Sequence, residues 1–143
     1  MFVFKTLIRD TLVNNATIKG LFNATATGSC MVRMAELQVS ATYPQILIEY
    51  IGGPTIANMD GERGRLYLRV ESKGSGTEHP LKNLGYFRGA ILNVLDDVTL
   101  SGTSVCYLLM KTNETGERFD DEQKCYFNTI GFDVFLKQDF TKP

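Results

Sequence analysis

The sequence has few of the residues on which most catalytic and metal sites depend, with one histidine, three cysteines and no tryptophan in 143 residues. Cys30, Cys106 and Cys125 are an odd number without CxxC spacing, which argues against a disulfide framework and a thiolate metal site. His79 stands beside Pro80 in a polar turn, with no His, Glu or Cys cluster at ligand spacing. We therefore expect buried, unreactive thiols, an exposed histidine at a helix start, and no metal, cofactor or catalytic site.

The sequence also has no large excess of charge of either sign and no long apolar run. The 15 basic and 16 acidic residues give a net charge of −1, so no global electrostatic attraction favours a stable complex with nucleic acid. No apolar run approaches the roughly 20 residues that cross a bilayer. Lys5, Arg9 and Asp10 interrupt the stretch from Met1 to Val13, and no small-residue cleavage site follows. We expect neither a secretory signal nor a membrane contact, and a chain that stays in solution.

The composition that is present fits an ordinary globular protein. Hydrophobic residues make up 43% and charged residues 22% of a chain whose length is near the commonest size of one domain. A chain of this length can bury one hydrophobic core, and no internal repeat is visible. The sequence therefore predicts a single domain over residues 1–143.

Three segments show helical periodicity. Phe4, Leu7, Ile8 and Leu12 recur at steps of three and four residues and predict a first helix. A short second helix, or a broken continuation of the first, is predicted over 16–22. A third helix is predicted from about His79 to Asp97, because proline is tolerated in the first turn. Its apolar stripe comprises Leu81, Leu84, Phe87, Ile91, Leu92 and Leu95.

Gly85 and Gly89 lie four residues apart on one side of the third predicted helix. Each costs about 1 kcal/mol relative to alanine, and close approach of another backbone would offset that cost. That backbone could belong to a partner or to the domain's own sheet. We favour packing on the domain's own sheet.

Strands are predicted over 45–51, 65–73, 105–112 and 124–137 from their β-branched and alternating residues. In the second strand Leu66, Leu68 and Val70 alternate with polar side chains, so one face is wet or contacts a partner. The last two strands are expected to pair as a hairpin, in which Cys106 and Cys125 would lie near the centre if they face each other. The element order predicts an α+β fold, a two-layer sandwich of a mainly antiparallel sheet with helices packed on one face and long hairpin loops.

Two long connections are candidate interaction sites. The first, 52–64, is longer than an ordinary hairpin loop, and long loops are often functional. Its candidate partner-binding residues, together with the start of the next strand, are Pro54, Ile56, Met59, Asp60, Glu62, Arg63 and Arg65. The second, the acidic segment 113–122, has a local charge of −4, since five carboxylates face one arginine. Those carboxylates belong to Glu114, Glu117, Asp120, Asp121 and Glu122.

The acidic segment has two interpretations. Its carboxylates do not alternate as calcium ligands do, so a solvated hairpin tip is one. The other is a surface, shared with Asp60 and Glu62, that does not adhere to DNA or that meets a basic partner.

The order of elements resembles the tail terminator, or tail completion, proteins of tailed bacteriophages over most of the chain. The resemblance lies in the first helix, the strand YPQILIEY (43–50), the long loop, the strand RLYLRV (65–70), the helix containing AILNVL (90–95) and two closing strands. It implies a structural virion protein of the neck, assembled in the host cytoplasm. Such proteins form a ring, usually a hexamer, that caps the tail tube protein and joins it to the head connector or stopper. Genomic DNA passes through without specific binding, and the acidic segment would line that lumen.

Two other classes compete with this interpretation. A head completion, or stopper, protein would share the ring but bind the portal side. A small-molecule-binding or hydrolytic α+β domain is the enzyme-class alternative. We expect no enzyme, because the sequence shows no recognisable pair of a nucleophile and a base.

Overall fold

The computed structural model describes residues 2–23, 32–34, 43–55, 61–73, 79–102 and 105–138. Within them, three helices and seven strands follow one another along the chain. In order they are α1 (Phe2–Val13), α2 (Ala16–Asn23), β1 (Val32–Met34), β2 (Gln45–Thr55), β3 (Gly61–Ser72), α3 (Pro80–Leu95), β4 (Val98–Gly102), β5 (Val105–Glu114), β6 (Arg118–Asp120) and β7 (Cys125–Gln138).

The seven strands form one mixed sheet in the order β1-β2-β3-β7-β5-β4, with β6 beside β7. The pair β1 and β2 is parallel, and the other neighbours are antiparallel. Strand β7 is long enough to pair with β3 on one side and with both β5 and β6 on the other. It therefore lies at the centre of the sheet.

The hydrophobic core lies between the helices and one face of the sheet. Phe22 of α2 contacts Phe87 of α3 edge to face, with ring centroids 4.9 Å apart, and Phe4 of α1 lies 4.7 Å from the ring of Tyr50. Other fully buried core residues are Ile8, Leu12, Ile18, Ile46, Ile48, Leu66, Leu68, Ile91, Leu95, Ile130, Phe132 and Val134. The predicted α+β fold, with helices on one face of a mostly antiparallel sheet, is confirmed.

Side-chain caps fix the starts of two helices. Asn15 Oδ1 accepts a hydrogen bond from the backbone N–H of Ile18 at 3.0 Å, which satisfies a free donor at the start of α2. His79 Nδ1 accepts from the N–H of Leu81 at 3.1 Å, and Pro80 occupies the first position of α3. The expectation that His79 is an exposed residue at a helix start is confirmed.

The strands around the first long connection extend further than predicted. Strand β2 continues through Gly52, Gly53 and Pro54, because a register shift between Gly52 and Thr55 accommodates residues that fit poorly into a regular ladder. Strand β3 already begins at Gly61. The prediction of a loop over the whole of 52–64 is therefore wrong, and only 56–60 separates the two strands.

Three further differences concern strands. The predicted hairpin of β5 and β7 is confirmed, but Cys106 pairs with Lys137 whereas Cys125 pairs with Asp120. The two cysteines are not opposite each other, because antiparallel pairing sets the start of β5 against the end of β7. Strands β4 and β6 were not predicted. Strand β1 occupies residues 32–34, where the sequence pattern predicts no defined element.

Candidate interaction surface

The residues that alternate with the core positions lie on the side of the sheet away from the helices, which we call the open face. One row crosses four strands in register, from Ile51 in β2 through Arg65 in β3 and Asp133 in β7 to Met110 in β5. Such a row arises because residues paired across a ladder share a face. The open face is therefore a continuous surface across the middle of the sheet.

Apolar side chains are exposed on the open face. Ile51 is 57% exposed, Met110 44% and Leu108 37%. Ile51 and Met110 flank the ion pair of Arg65 with Asp133, whose nearest atoms are 3.8 Å apart. Strands whose second face is only solvated usually carry polar side chains there, so exposed aliphatic residues indicate a contact surface.

A hollow of about 280 Å³ lies further along the open face. We define the hollow by the five residues that line it, Leu47, Glu49, Tyr67, Arg69 and Thr129. The ring of Tyr67 lies against Gly131 in the neighbouring strand, where an added Cβ would come within 3.3 Å of the ring. The volume is small for a drug-sized ligand but sufficient for an aromatic side chain, since about 150 Å³ accommodates benzene.

Arg69 anchors the acidic segment to the open face. Its Nε donates to Glu71 at 2.6 Å and its Nη2 donates to Asp120 of β6 at 2.7 Å. The guanidinium stacks on Phe127 at 3.8 Å, and Gln45 donates to the other oxygen of the fully buried Glu71. The buried carboxylate of Glu71 is thus paired and hydrogen-bonded, as burial of a charge requires.

A second group of contacts holds the acidic segment from the helix side. Arg88 of α3 donates from its Nε and Nη2 to the carboxylate of Glu114, at 2.6 to 3.0 Å. Asn128 donates to the same carboxylate at 2.9 Å and Lys111 lies 3.2 Å from it. The hydrogen bonds from Arg88 outweigh the effect of burial and lower the pKa of Glu114 to about 2.

Asp120 also closes the turn after β6. Its Oδ1 accepts from the backbone N–H groups of Gln123 and Glu122 at 3.0 and 2.9 Å. The bond from Gln123, and then the contact with Arg69, lower the pKa of Asp120. The acidic segment therefore carries a short strand and an ordered turn.

The five acidic residues predicted as one group divide into two. Glu114 and Asp120 are ion-paired with arginines of the same chain. Glu117, Asp121 and Glu122 are exposed to solvent. Any electrostatic role of this segment toward a partner therefore rests mainly on the exposed three.

The residues predicted around the first long connection are also separated. Pro54 lies in β2, whereas Glu62, Arg63 and Arg65 lie in β3, where Arg63 pairs with Phe135. Arg65 is exposed on the open face. Ile56, Met59 and Asp60 lie outside the described residues.

The outer surface of α3 corrects one interpretation. Gly85 and Gly89 are exposed, and a Cβ added at either position would meet nothing within 4 Å. They do not pack on the domain's own sheet, because the core stripe of the helix faces it instead. Tyr86, 45% exposed, lies beside them, and the ammonium group of Lys82 is 5.9 Å from its ring centroid.

Two titratable side chains, Tyr43 and Cys125, have the properties of packed groups and not of reactive ones. Burial raises the pKa of Tyr43 to about 12 and also raises that of Cys125, so both stay protonated at neutral pH. The predicted burial of Cys125 is confirmed.

Across the described ranges, no group of three His, Cys, Asp or Glu residues could hold a metal ion. The three helices that the structure describes are too short or too polar to cross a bilayer.

Sequence reasoning missed several residues that organise this surface. In the sequence, Tyr67, Arg69 and Glu71 are recognisable only as part of the alternating polar pattern of β3. That pattern indicates a side of the strand that faces solvent or a partner, without marking any single residue. Nothing local in the sequence marks Arg88, because its partner Glu114 lies 26 positions away. Contacts of this kind depend on the sheet order.

The fold is an α+β sandwich, and it is shared with a virion component. A chain in the structure of the virion of a native gene transfer agent (GTA) particle superposes with a TM-score of 0.69. The match covers 92% of both chains, and 11% of the residues are identical. No protein-family model and no curated protein matches the sequence.

Proposed function

We propose that this chain is a structural virion protein of a tailed phage-like particle, and specifically a tail terminator. Its copies would form a ring, with six subunits as in the family that it resembles. The ring would cap the tail tube and join it to the head connector. The observation that carries the proposal is the shared fold with a virion chain over 92% of both chains. The more specific assignment, to a tail terminator, rests on the resemblance in element order to that family.

The open face supports an assembly role. A ring of identical copies needs two different patches on each subunit that meet around a closed axis. The open face offers exposed aliphatic residues and an ion pair at one patch, and the outer surface of α3 offers another on the opposite side. The strand residues Pro54, Glu62, Arg63 and Arg65, with Ile56, Met59 and Asp60, remain our candidates for contacts with subunits or partners.

The acidic residues are assigned to the lumen as part of the same proposal. DNA gains affinity from counterion release at basic surfaces, so carboxylates around a channel let it pass without sticking. Glu117, Asp121 and Glu122 suit this role because their side chains are exposed. Glu114 and Asp120 would support the segment, since arginines of the same chain neutralise them.

The direct test is to incubate the purified chain with assembled tail tubes and image the mixture by negative-stain electron microscopy. We expect rings at one end of each tube, and tubes that stop growing. Binding to a portal complex in place of tubes would instead support the head completion alternative. A chain that stays monomeric and binds neither would refute both roles.

A second test addresses the lumen. Replacing Glu117, Asp121 and Glu122 with lysine should leave the fold intact and reduce the yield of infectious or DNA-filled particles, because the channel would then attract DNA. Replacement of the exposed Lys19, Lys73 and Lys124 with glutamate has the same size of charge change and serves as the control for solubility and expression. Unchanged particle yield in the lysine variant would remove the acidic segment from the mechanism.

A further inference from the structure

The open face is broad enough to form a substantial part of one side of a specific protein interface. Strands β2, β3, β7 and β5 are adjacent, and Gln45 and Glu71 at one end of the face are fully buried. With roughly 4.8 Å between strands and 3.3 Å per residue, an accessible patch of about six residues covers about 400 Å². A standard interface buries about 800 Å² on each partner, so the open face accounts for about half of one side.

The outer surface of α3 has the complementary features. Lys82, Gly85, Tyr86, Gly89 and Asn93 are all exposed and recur at helical spacing on the side opposite the core stripe. The two glycines leave the helix backbone accessible to another surface. A half-exposed aromatic ring thus projects beside a backbone that a flat sheet can approach closely.

We infer that the outer surface of α3 from one copy of this chain packs on the open face of the next copy, with Tyr86 in the hollow and Lys82 beside Glu49. This inference rests on the proposed ring and names the contact that closes it. The hollow holds about 280 Å³, which is enough for a phenol ring. Its wall includes the exposed carboxylate of Glu49, and the ammonium of Lys82 lies 5.9 Å from the ring that would enter.

The placement of the two surfaces favours a second copy as the partner. They lie on opposite sides of the same subunit, since α3 covers the core face of the sheet and the hollow is on the open face. Contact between them joins copies head to tail, which is the heterologous contact that closes into a ring when each copy is rotated. Charge complementarity between Glu49 and Lys82 fixes the register of such a contact.

A charge exchange tests the contact on the full chain. The association constant of each variant is measured by sedimentation velocity over a concentration series, and rings are counted by electron microscopy. We expect Glu49→Lys and Lys82→Glu each to weaken association at least about tenfold, since like charges then face each other. The double variant should return to within about threefold of the wild type. Lys19→Glu, at another exposed lysine, is the matched control and should associate normally.

A cross-linking experiment gives an independent readout that does not depend on charge. A copy carrying Glu49→Cys is mixed with a copy carrying Lys82→Cys under mild oxidation, and the wild-type chain sets the background from its own cysteines. A dimer band well above that background is expected. The same mixture with Lys19→Cys in place of Lys82→Cys should give none. Thermal melts of every variant verify that the subunit is folded.

The outcomes separate this contact from the proposed function. Rings that form equally well in both single variants, without the specific cross-link, overturn the contact and leave the tail terminator role standing. Weakened single variants without recovery in the double variant also overturn the pairing of Glu49 with Lys82. A wild-type chain that never self-associates, alone or on tail tubes, overturns the contact and the proposed function together.

Discussion

Replacing Glu114 with glutamine tests how the acidic segment is attached to the body of the protein. The substitution keeps the shape of the side chain but removes the charge that Arg88, Lys111 and Asn128 contact. We expect the variant to fold and to be less stable at neutral pH. The loss should depend on pH, because the wild-type carboxylate binds its proton far more weakly in the folded protein than in the unfolded chain.

The magnitude follows from the two pKa values. The pKa of Glu114 is about 2 in the folded protein against an ordinary value of 4.5. A difference of roughly 2.5 corresponds to about 3 kcal/mol in full. The side chain of Arg88 is 43% exposed, so solvent screens the interaction and about 1.5 kcal/mol is the expected loss. The contribution is complete above the unfolded pKa and disappears as the pH falls from about 4.5 toward 2.

Urea denaturation of wild type and Glu114→Gln at pH 7, 5, 4 and 3 measures this difference directly. The two unfolding free energies should differ by about 1.5 kcal/mol at pH 7, and less than about half of that should remain at pH 3. Glu117→Gln is the matched control in the same segment, and its exposed side chain should change stability by less than about 0.5 kcal/mol. Equal stability of wild type and Glu114→Gln at pH 7, or a difference that grows in acid, would refute the reasoning.

Four further predictions concern the stability of the subunit, each measured by urea denaturation of the variant against wild type. Arg69→Met should cost about 3 kcal/mol, because it leaves the buried charge of Glu71 without its cation; a loss below 1 kcal/mol would contradict this. Gly85→Ala should stabilise the monomer by up to about 1 kcal/mol, since the added methyl has open space on a helix. Gly116→Ala should instead destabilise by about 1 kcal/mol, because φ there is +79°. Phe87→Ala should cost about 3–5 kcal/mol at a fully buried core position.

Helices and long strands were predictable from local pattern. The periodicity of Phe4, Ile8 and Leu12 and the position of Pro80 indicated α1 and α3 correctly, because core-facing residues repeat with the period of the element. Strand β6 was missed because Arg118 to Asp120 is too short and polar to show alternation. Strand β2 was predicted too short because glycine and proline ordinarily end a ladder, and the bulge that tolerates them depends on pairing with β3.

The candidate surface was predictable only in outline. The alternation of β3 indicated one polar side, but the hollow combines residues of three strands whose adjacency follows from the sheet order. The charge of the acidic segment was also misleading when counted along the sequence. Asp120 is ion-paired with Arg69, which lies 51 positions earlier. Local charge sums omit such partners, and the effective charge presented to solvent is therefore smaller than −4.

The central position of β7 has a consequence for how the polypeptide reaches its native state. Of the described strands β7 comes last along the chain, yet it supplies the ladder that joins β3 to β5. During synthesis, at roughly 5–20 residues per second, the described strands before it emerge as two paired groups, β1 to β3 and β4 with β5, and as β6, whose ladder partner is β7. The edges of β3 and β5 that β7 will cover are bare at that stage. Pairing between residues 54 to 76 positions apart, from Ser72 with Tyr126 to Gly61 with Lys137, then makes closure slow. Until it occurs, those edges are open to aggregation with other nascent chains.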